Sequence, residues 1–187
     1  MKKVFPINGT SKWSLLFKEK GADSLFQALR YVRALKYERI SDAQKLELVL
    51  EEERGTCSAK HGVVALLAEA EGWQEVELWN VLYKMNEQNT PGVGRVLEGC
   101  GLEYLPEAHT ILKIKGMVAD ITGLPSGSSS AMDAIICEER ISVEQLIHQK
   151  VDWHQREMKE WIEKETCDIS FTELWQIRER CIAVLSS

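Results

Sequence analysis

The residues best suited to chemistry begin at Cys57, in the stretch Gly55-Thr56-Cys57-Ser58. Apolar residues follow at helical spacing, and the sequence therefore predicts a helix that begins at Cys57 and ends near Gly72. A cysteine in the first turn of a helix lies beside unpaired backbone N–H groups and the positive end of the helix dipole, which favour a thiolate. Lys60 and His61, three and four residues further on, add to this effect. We therefore expect Cys57 to be a nucleophile, although free cysteines often pack as small buried hydrophobes.

A cysteine nucleophile needs a base, and the sequence contains four histidines. His61 lies one turn beyond Cys57, where its ring is expected to tune the local field rather than to meet the sulfur. His148 and His154 belong to a long C-terminal helix, and the position of His154 on the apolar stripe favours a hydrogen-bonded core histidine. His109 begins a predicted strand, and it is the expected general base and acid.

The third candidate is a carboxylate on the neighbouring strand. Apolar runs on either side of Lys115-Gly116 predict a β-hairpin with a two-residue loop, in which Ile114 pairs with Met117. Stepping back along both strands places His109 and Asp120 on one face of the sheet as diagonal neighbours, about 7–8 Å apart. Asp120 is therefore expected to accept the imidazole proton and to fix its tautomer. The alternative is a surface hairpin with an ordinary exposed histidine and aspartate.

These three candidates resemble the signatures of a known superfamily. A cysteine at a helix start, a histidine at the head of a strand and the triplet Asp120-Ile121-Thr122 are similar to the Cys, His and Asp-x-Thr signatures of the transglutaminase-like superfamily, within the wider papain-like fold. The similarity covers residues 51–123. It implies an α+β fold in which the helix with Cys57 packs on an antiparallel sheet with His109 and Asp120. It also implies acyl transfer from an amide, isopeptide or ester through a thioester on Cys57.

The sequence departs from that superfamily in several respects. The spacing from His109 to Asp120 is short, and aliphatic residues stand where aromatic ones are usual. The papain-type glutamine upstream of the cysteine is absent, so a second oxyanion donor is not identified, and no calcium-ligand cluster is evident. One alternative is therefore a degenerate domain of the same fold that binds a peptide or a protein. Another is a helical interaction module that presents Trp153, Trp161 and Trp175 as an aromatic surface.

The remaining pattern predicts mostly helices. We expect helices from Ser24, over 42–54, over 142–164 and from Ser170, a strand over 76–85 covered on both faces, and a short helix that ends near Gly99. Residues 122–130 form the longest predicted loop. We predict a single α+β domain over 1–187, with its core in 42–123 and a helical segment, 142–187, packed on it.

Composition narrows the classes of partner. The chain has 187 residues and a net charge of −6, and no basic cluster alternates with aromatic residues, so we do not expect nucleic acid as a partner. The N-terminus lacks the apolar stretch of a signal peptide, and no run could span a bilayer. Five cysteines without Cys-x-x-Cys spacing favour reduced thiols over a disulfide framework or a zinc site. We expect a cytoplasmic protein without cofactor or metal that acts on a peptide, a protein or a small amide or ester.

Overall fold

The structure is a computed structural model, and it describes residues 5–125, 127–165 and 168–186. The predictions on the first four residues and on Cys167 lie outside these ranges. The helices are α1 (Lys12–Glu19), α2 (Leu25–Ala34), α3 (Leu48–Glu51), α4 (Cys57–Ala70), α5 (Gly94–Glu98), α6 (Val143–Lys164) and α7 (Phe171–Leu185), with one 3₁₀ turn at Ala131–Ala134. The strands are β1 (Val76–Met85), β2 (Leu105–Ile114), β3 (Met117–Ala119) and β4 (Ile135–Ile141).

The four strands form one antiparallel sheet in the order β3-β2-β1-β4. Together with the helices, this sheet confirms the α+β class. Strand β1 has the predicted bounds, and Lys115 and Gly116 both have positive φ, as a two-residue hairpin loop requires. Ile114 pairs with Met117, as predicted. The prediction that the paired strand continues to Asp120 is wrong, because the last pair is Leu112 with Ala119 and Asp120 instead accepts from the N–H of Thr122 in a local turn.

The helix starts follow the capping signals of the sequence. Helix α4 begins at Cys57, and the chain leaves it through Gly72 at a φ of +69°. Helix α7 begins after Ser170, whose hydroxyl accepts from the N–H of Glu173 while the Glu173 carboxylate accepts from the N–H of Ser170. The predicted starts of α4, α6 and α7 are therefore confirmed.

The helix predicted over 42–54 is shorter, and α3 covers only four residues. Local side chains compete for the backbone, because Asp42 accepts from the N–H of Gln44 and Glu52 accepts from the N–H of Ser41. The chain then turns through Glu53 at a φ of +54°, so Glu53 takes the position predicted for a glycine.

Two elements were not predicted. Helix α1 begins after Ser11, whose hydroxyl accepts from the N–H of Ser14. Strand β4 includes the charged run Glu138-Glu139-Arg140, for which no strand was predicted. These three residues are indeed exposed, because β4 is an edge strand of the sheet. An edge strand with charged side chains discourages pairing with another chain.

The contact pattern divides the chain into two compact units. Unit 1 comprises the described residues up to Trp79 together with Thr110–Gly123 and Arg140–Ile147. Its core gathers side chains around α4, which α1, α2 and α3 all contact. Gly62 of α4 permits this packing, because a Cβ there would lie 2.8 Å from Leu146 and 2.9 Å from Leu46.

Unit 2 comprises Asn80–His109, Leu124–Glu139 and the described residues from His148 onward. Its main core joins β1 and β2 side chains to α5, α6 and α7 through residues such as Met85, Leu105, Met158 and Leu174. The loop before β4 is anchored here, because the N–H of Ser129 donates to the carbonyl of Gln88. The expectation of a single domain over 1–187 stays a prediction.

Candidate functional site

Cys57 is the first residue of α4, as predicted, and its side chain is 8% exposed. Thr56 precedes it in an extended conformation and makes no side-chain cap. The thiol lies 3.9 Å from the hydroxyl of Ser58. The backbone carbonyl of Thr56 already accepts from the N–H of Lys60, so the first turn of the helix is formed at the cysteine. Cys57 therefore lies at the positive end of a fourteen-residue helix.

His61, one turn further on, is fully buried and joins two backbone groups. Its Nδ1 lies 2.7 Å from the carbonyl of Cys57, and the N–H of Ile121 lies 2.9 Å from its Nε2. A carbonyl can only accept and an amide N–H can only donate, so Nδ1 carries the hydrogen and Nε2 is the acceptor. The ring is thus fixed as the neutral Nδ1–H tautomer. This geometry gives His61 a bridging role between the nucleophile candidate and the chain after β3.

Asp120 follows β3 and forms a tight local turn. Its Oδ1 accepts from the N–H of Thr122 at 2.8 Å and from the hydroxyl of Thr122 at 2.5 Å. This is the physical reason for the Asp-x-Thr spacing in this chain, because an aspartate commonly caps the backbone two residues on. The same Oδ1 lies 3.6 Å from Nε2 of His61, but that nitrogen is an acceptor and gives the carboxylate no proton. Asp120 is 39% exposed in its side chain.

Lys60 is a fully buried cation in the same region. Its ammonium group donates to the carbonyl of Leu35 at 2.6 Å and to the carbonyl of Thr122 at 2.8 Å. Burial lowers the pKa of Lys60 to about 8, against the opposing attraction of Asp120. Gly123 is required beside it, because a Cβ at that position would lie 2.3 Å from the carbonyl oxygen of Arg33.

Lys60 and His61 together form what we term the α4 clamp. Both side chains leave the first turns of α4 and bond the backbone of the two residues that follow Asp120. Since His61 also bonds the carbonyl of Cys57, the clamp fixes Asp120 relative to the nucleophile candidate. From the sequence, Lys60 and His61 were predicted to have only an electrostatic influence on the thiol. The signal that could have revealed this role was the position of Lys60 in a largely apolar helix. Such a helix has few solvent-exposed positions, so its lysine is expected to be buried and to bond to other groups.

His109, the third predicted site residue, lies inside β2, so the prediction that it begins a strand is wrong: the strand already starts at Leu105. His109 belongs to unit 2, whereas Cys57 and Asp120 belong to unit 1. Its ring is half-buried and meets Tyr83 of β1 edge to face, with ring centroids 6.0 Å apart at 70°. Tyr83 is itself held by a 3.0 Å hydrogen bond between its hydroxyl and that of Thr90.

The two other histidines lie on α6. His148 is exposed. His154 is buried, and its Nε2 lies 3.1 Å from the carbonyl of Pro106, which it can only donate to. This confirms His154 as a hydrogen-bonded core histidine.

Comparison with known proteins gives no match to a family model, to a curated protein or to a solved structure. Among the described residues, no group of three or more histidine, cysteine, aspartate or glutamate side chains is arranged to hold a metal ion. Within the same residues, no helix combines the length and the apolar character needed to cross a membrane.

Proposed function

We propose that this protein is a cysteine-dependent hydrolase or acyltransferase with a transglutaminase-like, papain-like fold. Cys57 is the nucleophile, His109 the general base and acid, and Asp120 the group that orients the imidazole. The observation that carries the proposal is the α4 clamp, because it ties the helix start that bears Cys57 to the segment that bears Asp120. A fixed spacing between nucleophile and orienting carboxylate is what a cysteine, histidine and aspartate triad requires.

The hairpin gives further support. The hairpin begins in the predicted register, with Ile114 paired to Met117, and its last pair, Leu112 with Ala119, lies one residue before Asp120. The turn at Thr122 occupies one carboxylate oxygen of Asp120. A carboxylate has two oxygens, and the proposal requires one of them to accept an N–H of the His109 imidazole.

The reaction proceeds in two acyl transfers. His109 takes the thiol proton, and the sulfur of Cys57 attacks the carbonyl carbon of an amide, isopeptide or ester. The C–N or C–O bond then breaks, and the leaving amine or alcohol takes the proton from His109, which leaves a thioester on Cys57. Water or an amine attacks the thioester with His109 again as base, and the released thiol recovers the proton. The substrate class is a peptide, a protein or a small amide or ester.

A degenerate domain of the same fold that binds a peptide or a protein without turnover is the second candidate. The burial of Cys57 favours it, because inert cysteines are commonly buried and reactive ones partly exposed. The aromatic interaction module has less support, since Trp153 is only 6% exposed and packs in a core with Leu82 and Ala108.

The four cysteines that the structure describes are free thiols, and we propose the cytoplasm, a reducing compartment, as the site of action. They also provide internal controls for a labelling experiment. Burial raises the pKa of the Cys137 thiol and of the Cys181 thiol to about 11 in each case. Both should therefore react slowly with iodoacetamide near neutral pH.

The test compares labelling of each cysteine by mass spectrometry over about pH 5 to 9, a range that brackets ordinary imidazole ionisation. Cys57 should be labelled first, and its rate at low pH should fall in His109→Gln. A set of aryl ester and peptide amide substrates should then give a Cys57 acyl-enzyme that Cys57→Ser lacks. Fast labelling without any acyl-enzyme would favour the degenerate domain. Labelling of Cys57 no faster than that of Cys181 would overturn the assignment of the nucleophile.

A further inference from the structure

A buried carboxylate lies two residues before His109 on the same strand. Glu107 of β2 has a side chain that is only 6% exposed. Successive side chains of a strand point to opposite faces, so Glu107 and His109 leave β2 on the same face. Burying a carboxylate without a partner is strongly unfavourable. The partners of Glu107 therefore constrain β2 two residues before His109.

The first partner is Arg178 of α7, which binds Glu107 through two parallel hydrogen bonds. Nε donates to Oε2 at 3.0 Å, and Nη2 donates to Oε1 at 2.8 Å. This two-pronged geometry fixes both the distance and the plane of the carboxylate. Nη1 of the same side chain donates to Glu179 at 2.6 Å, and the guanidinium lies 5.3 Å from the ring centre of Trp175. Arg178 is thus held on several sides.

The second partner is His154 of α6, which holds the backbone just before Glu107. Its Nε2 donates to the carbonyl of Pro106 and lies 3.8 Å from Oε2 of Glu107. Its ring packs on Trp175, with centroids 5.3 Å apart. Two C-terminal helices therefore bond two successive residues of β2, one through the main chain and one through the side chain. We term Glu107, His154 and Arg178 the Glu107 cluster.

The charges in this cluster have fixed signs near neutral pH. Burial by itself raises the pKa of Glu107, but the permanent charge of Arg178 outweighs it and holds the pKa below its ordinary value. Burial lowers the pKa of His154, so its ring is neutral beside a charged pair. The charge of Lys150 on α6 acts on both groups and lowers the pKa of Glu107 and that of His154.

We infer that the Glu107 cluster is a positioning device for His109, and that Glu107, His154 and Arg178 are positioning residues of the proposed active site. This inference rests on the proposed function, because it assigns His109 the role of general base. The arrangement gives the C-terminal helices, which lie outside the range of the superfamily resemblance, a defined task. They hold β2, the strand that bears the imidazole of His109, in a fixed position. A small displacement of a catalytic group can lower a rate by about 10²-fold, so this constraint is expected to affect turnover.

The experiment uses the full chain and two variants that change the pairing of Glu107 with Arg178 without leaving an unpaired buried charge. The double variant E107M/R178M replaces the ion pair by apolar side chains, a change that often leaves stability intact. R178K keeps the charge but loses the two-pronged geometry. R156M is the matched control, because it removes an arginine whose side chain is 60% exposed and which pairs with Glu157 on α6.

Two readouts separate positioning from general stability. The first is the imidazole spectrum of His109, followed by NMR with ¹⁵N-labelled histidine and assigned with H109Q. The second is the pH profile of Cys57 alkylation. We expect E107M/R178M and R178K to shift the His109 resonances and to lower Cys57 alkylation at neutral pH by about 10- to 10²-fold. The melting temperature of R178K shows whether the protein remains folded. R156M should change neither readout.

The possible results distinguish the two proposals. His109 resonances that stay at their wild-type positions in folded E107M/R178M and R178K would overturn the positioning role, even if Cys57 proves to be the nucleophile. Shifted His109 resonances together with an unreactive Cys57 would support the positioning role and overturn the proposed function. If the double variant does not fold, R178K alone decides the question, because it retains the charge that Glu107 requires.

Discussion

The two units hold their candidate residues by different kinds of interaction. In unit 1, the α4 clamp binds neutral backbone groups next to Asp120, and Lys60 and His61 come from the same helix as Cys57. In unit 2, the Glu107 cluster binds a buried charge next to His109, and Arg178 lies 71 residues away in sequence from its partner. The first arrangement depends on two adjacent side chains of one helix, whereas the second depends on side chains from two C-terminal helices.

This difference predicts different responses to mutation. Removing a donor to a carbonyl leaves a buried acceptor unsatisfied, which costs about 1–3 kcal/mol. Removing one partner of a buried ion pair leaves an uncompensated charge, which costs about 3–5 kcal/mol. Unit 2 should therefore be the more sensitive to single substitutions and the more tolerant of paired ones.

The largest expected effect is that of Arg178→Met alone. It leaves the buried carboxylate of Glu107 without its main partner, and we expect the free energy of unfolding to fall by about 3–5 kcal/mol. The paired change E107M/R178M should recover most of this loss. Urea denaturation followed by circular dichroism gives both values. A double variant as unstable as the single one would show that the ion pair itself, rather than the stranded charge, stabilises unit 2.

The second prediction concerns Lys60 in unit 1. Its pKa is about 8 in the folded protein against an ordinary value of 10.5, so between these pH values the unfolded chain binds more protons. Stability must then rise with pH across this window, by up to about 3 kcal/mol. A neutral amine has two hydrogens, which suffice for the carbonyls of Leu35 and Thr122. The deprotonated side chain can therefore keep both bonds.

The measurement is the difference in unfolding free energy between the wild type and Lys60→Met as a function of pH. The difference removes the contribution of other titrating groups. It should shift in favour of the wild type between pH 8 and 10.5, the folded and ordinary values for Lys60. A flat difference across that window would mean that the buried ammonium pays no penalty for its surroundings, and the account of the α4 clamp would need revision.

Sequence reasoning succeeded where a local signal determined the structure. The capping box at Ser170 and Glu173, the start of α4 and the two-residue hairpin loop each depend on a few neighbouring residues, and each was predicted. The prediction of a helix over 42–54 was wrong because the side chains of Asp42 and Glu52 compete for the backbone hydrogen bonds of this segment. That competition is decided by geometry that periodicity does not report.

The candidate site was only partly accessible from the sequence. Cys57, His109 and Asp120 could be selected because their residue types and the hairpin register suggest chemistry, and their joint action stays a prediction. The Glu107 cluster was missed because Arg178 reaches Glu107 from a distant helix. A charged residue between Pro106 and Ala108, in a largely apolar strand, was the available signal. Nothing in the sequence indicated which basic residue would pair with Glu107.

The third prediction separates the two bonds of His61. His61→Gln retains an acceptor near the position of Nε2, and His61→Asn retains a donor near the position of Nδ1. If the bond from the N–H of Ile121 is what ties Asp120 to α4, His61→Asn should lose about 1–3 kcal/mol more than His61→Gln. Thermal unfolding of both variants, with hydrogen exchange at Ile121, measures this. Equal losses and unchanged exchange at Ile121 would assign the role of His61 to the Cys57 carbonyl alone.

The smallest expected effect is the acid sensitivity that His154 gives to unit 2. Burial lowers its pKa below the ordinary 6.5, so below pH 6.5 the unfolded chain binds a proton that the folded protein resists, and stability falls as the pH falls. Glu107 starts to contribute in the same direction only below its ordinary 4.5. His154→Gln keeps a donor for the carbonyl of Pro106 but does not titrate. The onset of acid destabilisation, measured as the urea midpoint against pH, should therefore move from near 6.5 toward 4.5. The control is His148→Gln, at an exposed position on the same helix, which should not change the onset of acid destabilisation. An onset that does not move in His154→Gln would show that the acid sensitivity arises outside the Glu107 cluster.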